Sequence, residues 1–105
     1  MVEKFFKNSG IKEKIINQLV DIAQKYEVKK VFLFGSRARG DFLRGSDIDL
    51  AVYAKGSIST FIEEIELMTT TLLEYDITHI TELTEDYFLE QINREGIVIY
   101  EKNSI

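Results

Sequence analysis

The sequence predicts an α/β fold: one small domain over residues 1–105, with a mixed, mostly four-stranded sheet and helices packed on it. Three observations predict it. Short runs rich in β-branched and aromatic residues alternate with longer stretches whose apolar residues recur at helical spacing. Successive strands are joined once by a tight loop and once by a whole helix, so the sheet needs both antiparallel and parallel neighbours. With 105 residues the chain can bury roughly two-thirds of its unfolded surface, enough for an ordinary core.

The first helix is expected from Ile11 to Tyr26. Ile11, Ile15, Leu19, Ile22 and Tyr26 form its apolar stripe, widened by Ile16 and Ala23. Asn8 and Ser9 are its candidate N-caps. Val28 to Phe34 reads as the first strand, stopped by Gly35, and Ser36 to Asp41 as a short helix whose free N–H groups face back toward Gly35 and Ser36. The second strand is Ile48 to Tyr53, joined tightly and so antiparallel to the first. Gly56-Ser57 makes a turn. Thr60 and Glu63 have capping-box spacing, and a helix follows to about Leu73 with Phe61, Ile65, Met68 and Leu72 inward. Glu63, Glu64 and Glu66 read as its solvated face.

Tyr75 to Ile80 is the third strand, reached by a helical crossover and therefore parallel to the second. His79 lies at odd spacing from Asp76, on the opposite face, where a structural role is expected. Thr84 is placed to cap a helix through Asn93, with Phe88, Leu89 and Ile92 inward and Gly96 as its stop. Ile97 to Tyr100 is the fourth strand, followed by a short polar tail.

Composition narrows the function. The net charge of −5 opposes a polyanionic partner, so a role centred on DNA or RNA is disfavoured. Cysteine is absent, which excludes disulfides and thiolate metal sites. No apolar run is long enough to span a bilayer, and the stretch from Met1 to Lys7 has no leader-like apolar core. A soluble cytoplasmic protein is expected.

The chemistry concentrates between Val31 and Tyr53. Asp47 and Asp49 alternate onto one face of the second strand, while Ile48, Leu50 and Val52 take the other. Two adjacent carboxylates repel each other unless a cation lies between them, and Mg²⁺ is held by a few carboxylates plus substrate phosphates. The antiparallel connection brings Gly35-Ser36 beside these acids. Gly35 permits close backbone approach, and Ser36 donates through its N–H and hydroxyl. Arg37, Arg39 and Arg44 add cationic reach, although Arg44 reads more simply as a surface charge. Asp76, at the head of the third strand, falls level with the two acids, where it could share a metal or accept a proton.

Gly35-Ser36-Arg37-Ala38-Arg39-Gly40, followed by Ser46-Asp47-Ile48-Asp49-Leu50, resembles the signature of the polymerase-beta-like nucleotidyltransferases: Gly-Ser, ten residues, then Asp-x-Asp. The form of the motif is similar to that of the minimal nucleotidyltransferases of bacteria and archaea. This resemblance implies that Gly35 and Ser36 bind the triphosphate of ATP, with Arg37, Arg39 and Ser46 in the same nucleotide-binding set. It implies that Asp47 and Asp49 hold two Mg²⁺ ions, and that Asp76 is the third acid of the metal site and the general base. Larger relatives carry an extra helical domain for the acceptor, whereas this sequence stops soon after its fourth strand, so the acceptor site is expected to be missing or supplied by another chain. Minimal members are often encoded beside a HEPN-domain protein and can act as antitoxins by adding AMP to its tyrosine. The alternative is a catalytically silent nucleotide-binding module that neutralises its partner by direct binding.

Overall fold

In a computed structural model the described residues are 6 and 8–102. The stretch read for a leader lies almost wholly outside them, as do residues 103–105 of the polar tail. The elements, in chain order, are α1 (Glu13–Tyr26), β1 (Lys30–Phe34), α2 (Gly35–Arg39), β2 (Ile48–Tyr53), α3 (Ser59–Met68), β3 (Tyr75–Ile80), α4 (Asp86–Glu95) and β4 (Ile97–Glu101). The sheet has the order β3-β2-β1-β4. β1 is antiparallel to β2 and to β4, and β2 is parallel to β3. The mixed four-stranded sheet and both predicted strand relations are present.

Strand alternation sorts the interior into two layers. Val31 and Leu33 of β1 join Ile48, Leu50 and Val52 of β2 on one face, buried under α1 and α3 through Ile15, Ile16, Leu19, Ile22, Phe61 and Ile65. Phe32 and Ala51 face the other way, toward Ile80 and Ile92, with Phe34, Tyr53, Phe88 and Leu89 packed around them. α4 therefore covers the face on which Asp49 lies, and Phe88 meets Phe34 edge-on with ring centroids 5.6 Å apart. The inward face expected for α4 is the one observed.

Several boundaries differ from expectation, each for a local reason. α1 begins at Glu13, not Ile11, and neither Asn8 nor Ser9 caps it. Ser9 instead closes the turn before the helix, donating from its hydroxyl to Phe6 O and accepting from Ile11 N–H. Val28 is buried but precedes β1, which starts at Lys30. Thr60 and Glu63 form no capping box, because α3 starts at Ser59 behind Ile58, and the Ser57 hydroxyl accepts from Ser59 N–H. α3 also stops at Met68, where the Thr69 hydroxyl donates to Ile65 O and the backbone turns extended. The expected stripe is thus cut short: Phe61 and Ile65 are buried, whereas Met68 and Leu72 are exposed.

Thr84 does not cap α4; its hydroxyl accepts from Thr81 N–H in the preceding turn. Gly96 does end α4, but in extended backbone and not in the left-handed region. A Cβ there would crowd Phe32, 2.9 Å away, and Ile92 O, so close packing explains this glycine.

Glu64 is no free surface charge. It accepts from Lys25 Nζ at 3.0 and 3.1 Å and from the Tyr26 hydroxyl at 2.6 Å, tying α3 to the end of α1. These bonds hold the Glu64 carboxyl below its usual range, Tyr26 contributing most.

Chemical denaturation should separate the true core from the shortened stripe. Leu33→Ala, in a fully buried position, should cost about 2–5 kcal/mol. Leu72→Ala, at a fully exposed position, should stay within about 0.5 kcal/mol of wild type.

Candidate active site

The site is assembled by strand register. In the antiparallel β1–β2 ladder Phe34 lies opposite Asp49, and in the parallel β2–β3 ladder Asp49 lies level with Asp76. The residue after Phe34 is Gly35, so the glycine turn arrives against the Asp49 side chain. Gly35 has φ of +75°, and a Cβ there would fall on the Asp49 carboxylate, 3.1 Å from Cγ. Only glycine meets both conditions. Asp49 is half-buried on β2. Asp76 is exposed on the edge strand β3, and Asp47 is exposed one residue before β2 begins. The structure thus gathers Gly35, Ser36, Asp47, Asp49 and Asp76 at one end of the sheet.

The acids sense one another. Burial pushes the Asp49 carboxyl above its ordinary range, and the neighbouring Asp76 and Asp47 push it the same way. Arg39 and Arg37 oppose this rise without cancelling it. A half-buried carboxylate repelled by two others is a position where a divalent cation fits, and carboxylate oxygens are the hard donors that Mg²⁺ prefers. Among the described residues no three acidic, histidine or cysteine side chains converge closely enough to enclose an ion unaided.

The basic residues differ from expectation. Arg37 was expected to face a phosphate, but it is 2 % exposed. Its Nε donates to Ser46 O at 3.0 Å, Nη1 to Ser9 O at 2.8 Å and Nη2 to Arg44 O at 3.1 Å, while its guanidinium stacks over Phe42 at 4.4 Å. Such a side chain is packing for the loop and not a reach toward substrate. Arg39 is exposed and pairs with Asp41 and Glu95, both at 3.1 Å. Ser46 acts through the loop: its hydroxyl accepts from Leu43 N–H at 2.9 Å and its carbonyl receives Arg37. Arg44 lies at the surface, as expected, although its carbonyl serves Arg37. His79 meets Ala54 O at 2.8 Å on the face away from Asp76, in the structural role expected. Sequence reasoning did not single out Phe42 or the carbonyl of Ser9 as part of this loop's packing. Neither has a motif to mark it; only the fold brings them to Arg37.

Fold and site together define a nucleotidyltransferase. A family model described as Polymerase beta, Nucleotidyltransferase matches residues 17–105, and the chain belongs to that family. Two proteins of Methanocaldococcus jannaschii, each named for protein adenylyltransferase activity, are similar in sequence. One is 39 % identical over 101 residues, covering 84 % of this chain and 97 % of the relative. The other is 35 % identical over 94 residues, covering 87 % and 96 %. Among solved structures, a toxin–antitoxin complex with AMP-PNP contains a chain with TM-score 0.66 and 21 % identity, covering 83 % of this chain and 73 % of that one. A complex of a tri-AMPylated Shewanella oneidensis HEPN toxin with its MNT antitoxin gives TM-score 0.59 and 17 % identity, covering 84 % and 71 %. At these identities the structural likeness is one of fold.

Gly35→Ala should cost about 1–3 kcal/mol, since it forces a side chain into the left-handed region and onto Asp49. Gly45→Ala, where a Cβ meets nothing, should leave thermal unfolding unchanged. Asp49→Asn should raise the melting temperature of the ligand-free protein by removing the repelled charge. Mg²⁺ with ATP should raise the melting temperature of wild type, and the same variant should lose most of that gain.

Proposed function

We propose that this chain transfers AMP from ATP, in the presence of Mg²⁺, to a tyrosine hydroxyl of a partner HEPN-domain toxin, and that it is the antitoxin of that pair. The observation that carries the reading is Gly35 pressed against Asp49, with Asp76 one strand away. The glycine turn and the carboxylates are thereby adjacent, which is the arrangement a metal-bound triphosphate requires. The relatives' names and the AMPylated toxin beside a protein of the same fold support a protein acceptor. Among the described residues no helix is long and apolar enough to cross a membrane.

Each residue then has a task. The backbone at Gly35 and Ser36, with the Ser36 hydroxyl, binds the triphosphate. Asp47 and Asp49 would hold the metal, with Asp76 alongside as third acid. When bound, Mg²⁺ supplies neutralising charge for the departing phosphates. Asp76, exposed on an edge strand, takes the proton of the acceptor hydroxyl as its oxygen bonds to the α-phosphorus. The bond from that phosphorus to its bridging oxygen breaks, and pyrophosphate leaves. Arg39 is held only by ion pairs near the surface, which are weak, so its guanidinium is free to exchange onto a phosphate.

Co-expression with the HEPN-domain partner followed by intact-mass analysis tests this reading. The partner should gain the mass of AMP. Asp47→Ala should abolish the gain, and Asp76→Ala should slow transfer from α-labelled ATP by about 10²–10⁴-fold, the usual worth of a general base. An unmodified partner that Asp47→Ala still neutralises would replace this reading with that of a silent binding module.

A further inference from the structure

The sheet positions two of the three acids and leaves the third to something else. Asp49 and Asp76 are paired in the β2–β3 ladder, and Asp49 is paired again with Phe34. Asp47 lies outside both ladders. On its C-terminal side the chain is anchored at once, since Ile48 N–H donates to Glu74 O at 2.8 Å. On its N-terminal side the anchor is Ser46, which is held three ways: N–H to Leu43 O at 3.0 Å, hydroxyl to Leu43 N–H, and carbonyl to Arg37 Nε. The first two bonds join Ser46 only to its own loop. Asp41, at the start of the loop, is held by Ser36 O and Arg39, whereas Arg37 ties the end of the loop next to Asp47 to the body of the protein, linking Ser46 and Arg44 to Ser9 in the turn before α1.

We infer that Arg37 is a positioning residue for Asp47: its buried fork clamps the ten-residue spacer so that Asp47 stands beside Asp49. Burial at 2 % exposure denies a phosphate access to the guanidinium, so Arg37 acts through the loop and not by direct contact with nucleotide. The task needs arginine. Three nitrogens fixed in one plane reach three carbonyls while the flat face rests on Phe42, and a lysine ammonium on a flexible stem cannot reproduce that geometry. The role given to Asp47 rests on the proposed metal-dependent transfer; the clamp itself does not.

Two measurements on the full chain test the inference. Without nucleotide, Arg37→Lys should speed amide hydrogen exchange across residues 42–47 while leaving the amides of Leu33 and Leu50 protected as in wild type. With AMP-PNP, Arg37→Lys should weaken the apparent affinity for Mg²⁺ by about 10–100-fold, the usual effect of losing a residue that orients a metal ligand. Affinity for AMP-PNP in EDTA should stay unchanged. Unaltered exchange at 42–47 would overturn the clamp. An equal loss in EDTA would overturn action through Asp47, because a direct phosphate contact or a general loss of structure gives that result. Should Arg37→Lys fail to fold, Phe42→Leu, which removes only the stacking face, should shift the same two readouts in the same direction. A wild-type protein with no Mg²⁺-dependent binding would sink the proposed function and the role of Asp47, while the exchange result would still decide whether the clamp exists.

Discussion

The pairing of Phe34 with Asp49 is the constraint on which the rest of the structure depends. A one-residue slip in that ladder would turn Asp49 toward α1 and α3 and Leu50 toward α4. It would also carry Gly35 away from the carboxylate it now touches. The hydrophobic pattern prevents the slip, because Ile48, Leu50 and Val52 are each fully buried on the opposite face. Core packing and site geometry are thus two consequences of one register. The parallel ladder extends it, since fixing Asp49 also fixes the height of Asp76 one strand over.

That register has an electrostatic cost. It half-buries one carboxylate and brings two more near it, which raises the Asp49 pKa through desolvation first and repulsion second. The arrangement also demands a glycine in the left-handed region at position 35, where any other residue would be strained. Neither feature helps the domain fold. Local choices that oppose stability gather where function requires them, and here they gather at one end of one strand pair. The packing elsewhere compensates: α1 and α3 bury a continuous apolar layer and are joined further by Lys25, Tyr26 and Glu64.

Much of this was legible in the sequence because the strands are short, apolar and cleanly punctuated. β2 and β3 have the predicted bounds, and the crossover between them required parallel pairing. That Gly35 falls beside Asp49, and Asp76 level with it, followed from the expected strand relations. The ends of helices were less legible, because competing side-chain-to-backbone bonds decide them. Thr60 and Glu63 have the spacing of a capping box, yet Ser57 reaches the first turn of α3 before them. Thr69 ends that helix by bonding back to Ile65, which leaves Leu72 outside the periodic stripe it had seemed to continue. Arg37 was misread for a different reason. Phe42 and Arg44 lie in the loop that follows it, but Ser9 comes from the turn before α1, and nothing local distinguishes an arginine that faces a phosphate from one that turns inward.

The partners of Arg37 explain how a buried cation can serve an acidic site. A buried guanidinium usually takes a carboxylate, and breaking such a pair is costly. Here it takes three carbonyls, which supply dipoles but no net charge. A fourth carboxylate in that position would neutralise the arginine and add to the repulsion on Asp49. With carbonyls as partners the positive charge remains uncancelled, and, after Arg39, it opposes the rise of the Asp49 carboxyl that burial and the acidic neighbours cause. Burial in turn pulls the Arg37 pKa down, and Asp49 pulls it back. The two charges therefore attract across the loop, although they share no hydrogen bond. This coupling gives the ten-residue spacer a physical meaning: it is long enough to run past Phe42 and return, so that one side chain can stiffen the loop and oppose the charge of the acids at its end.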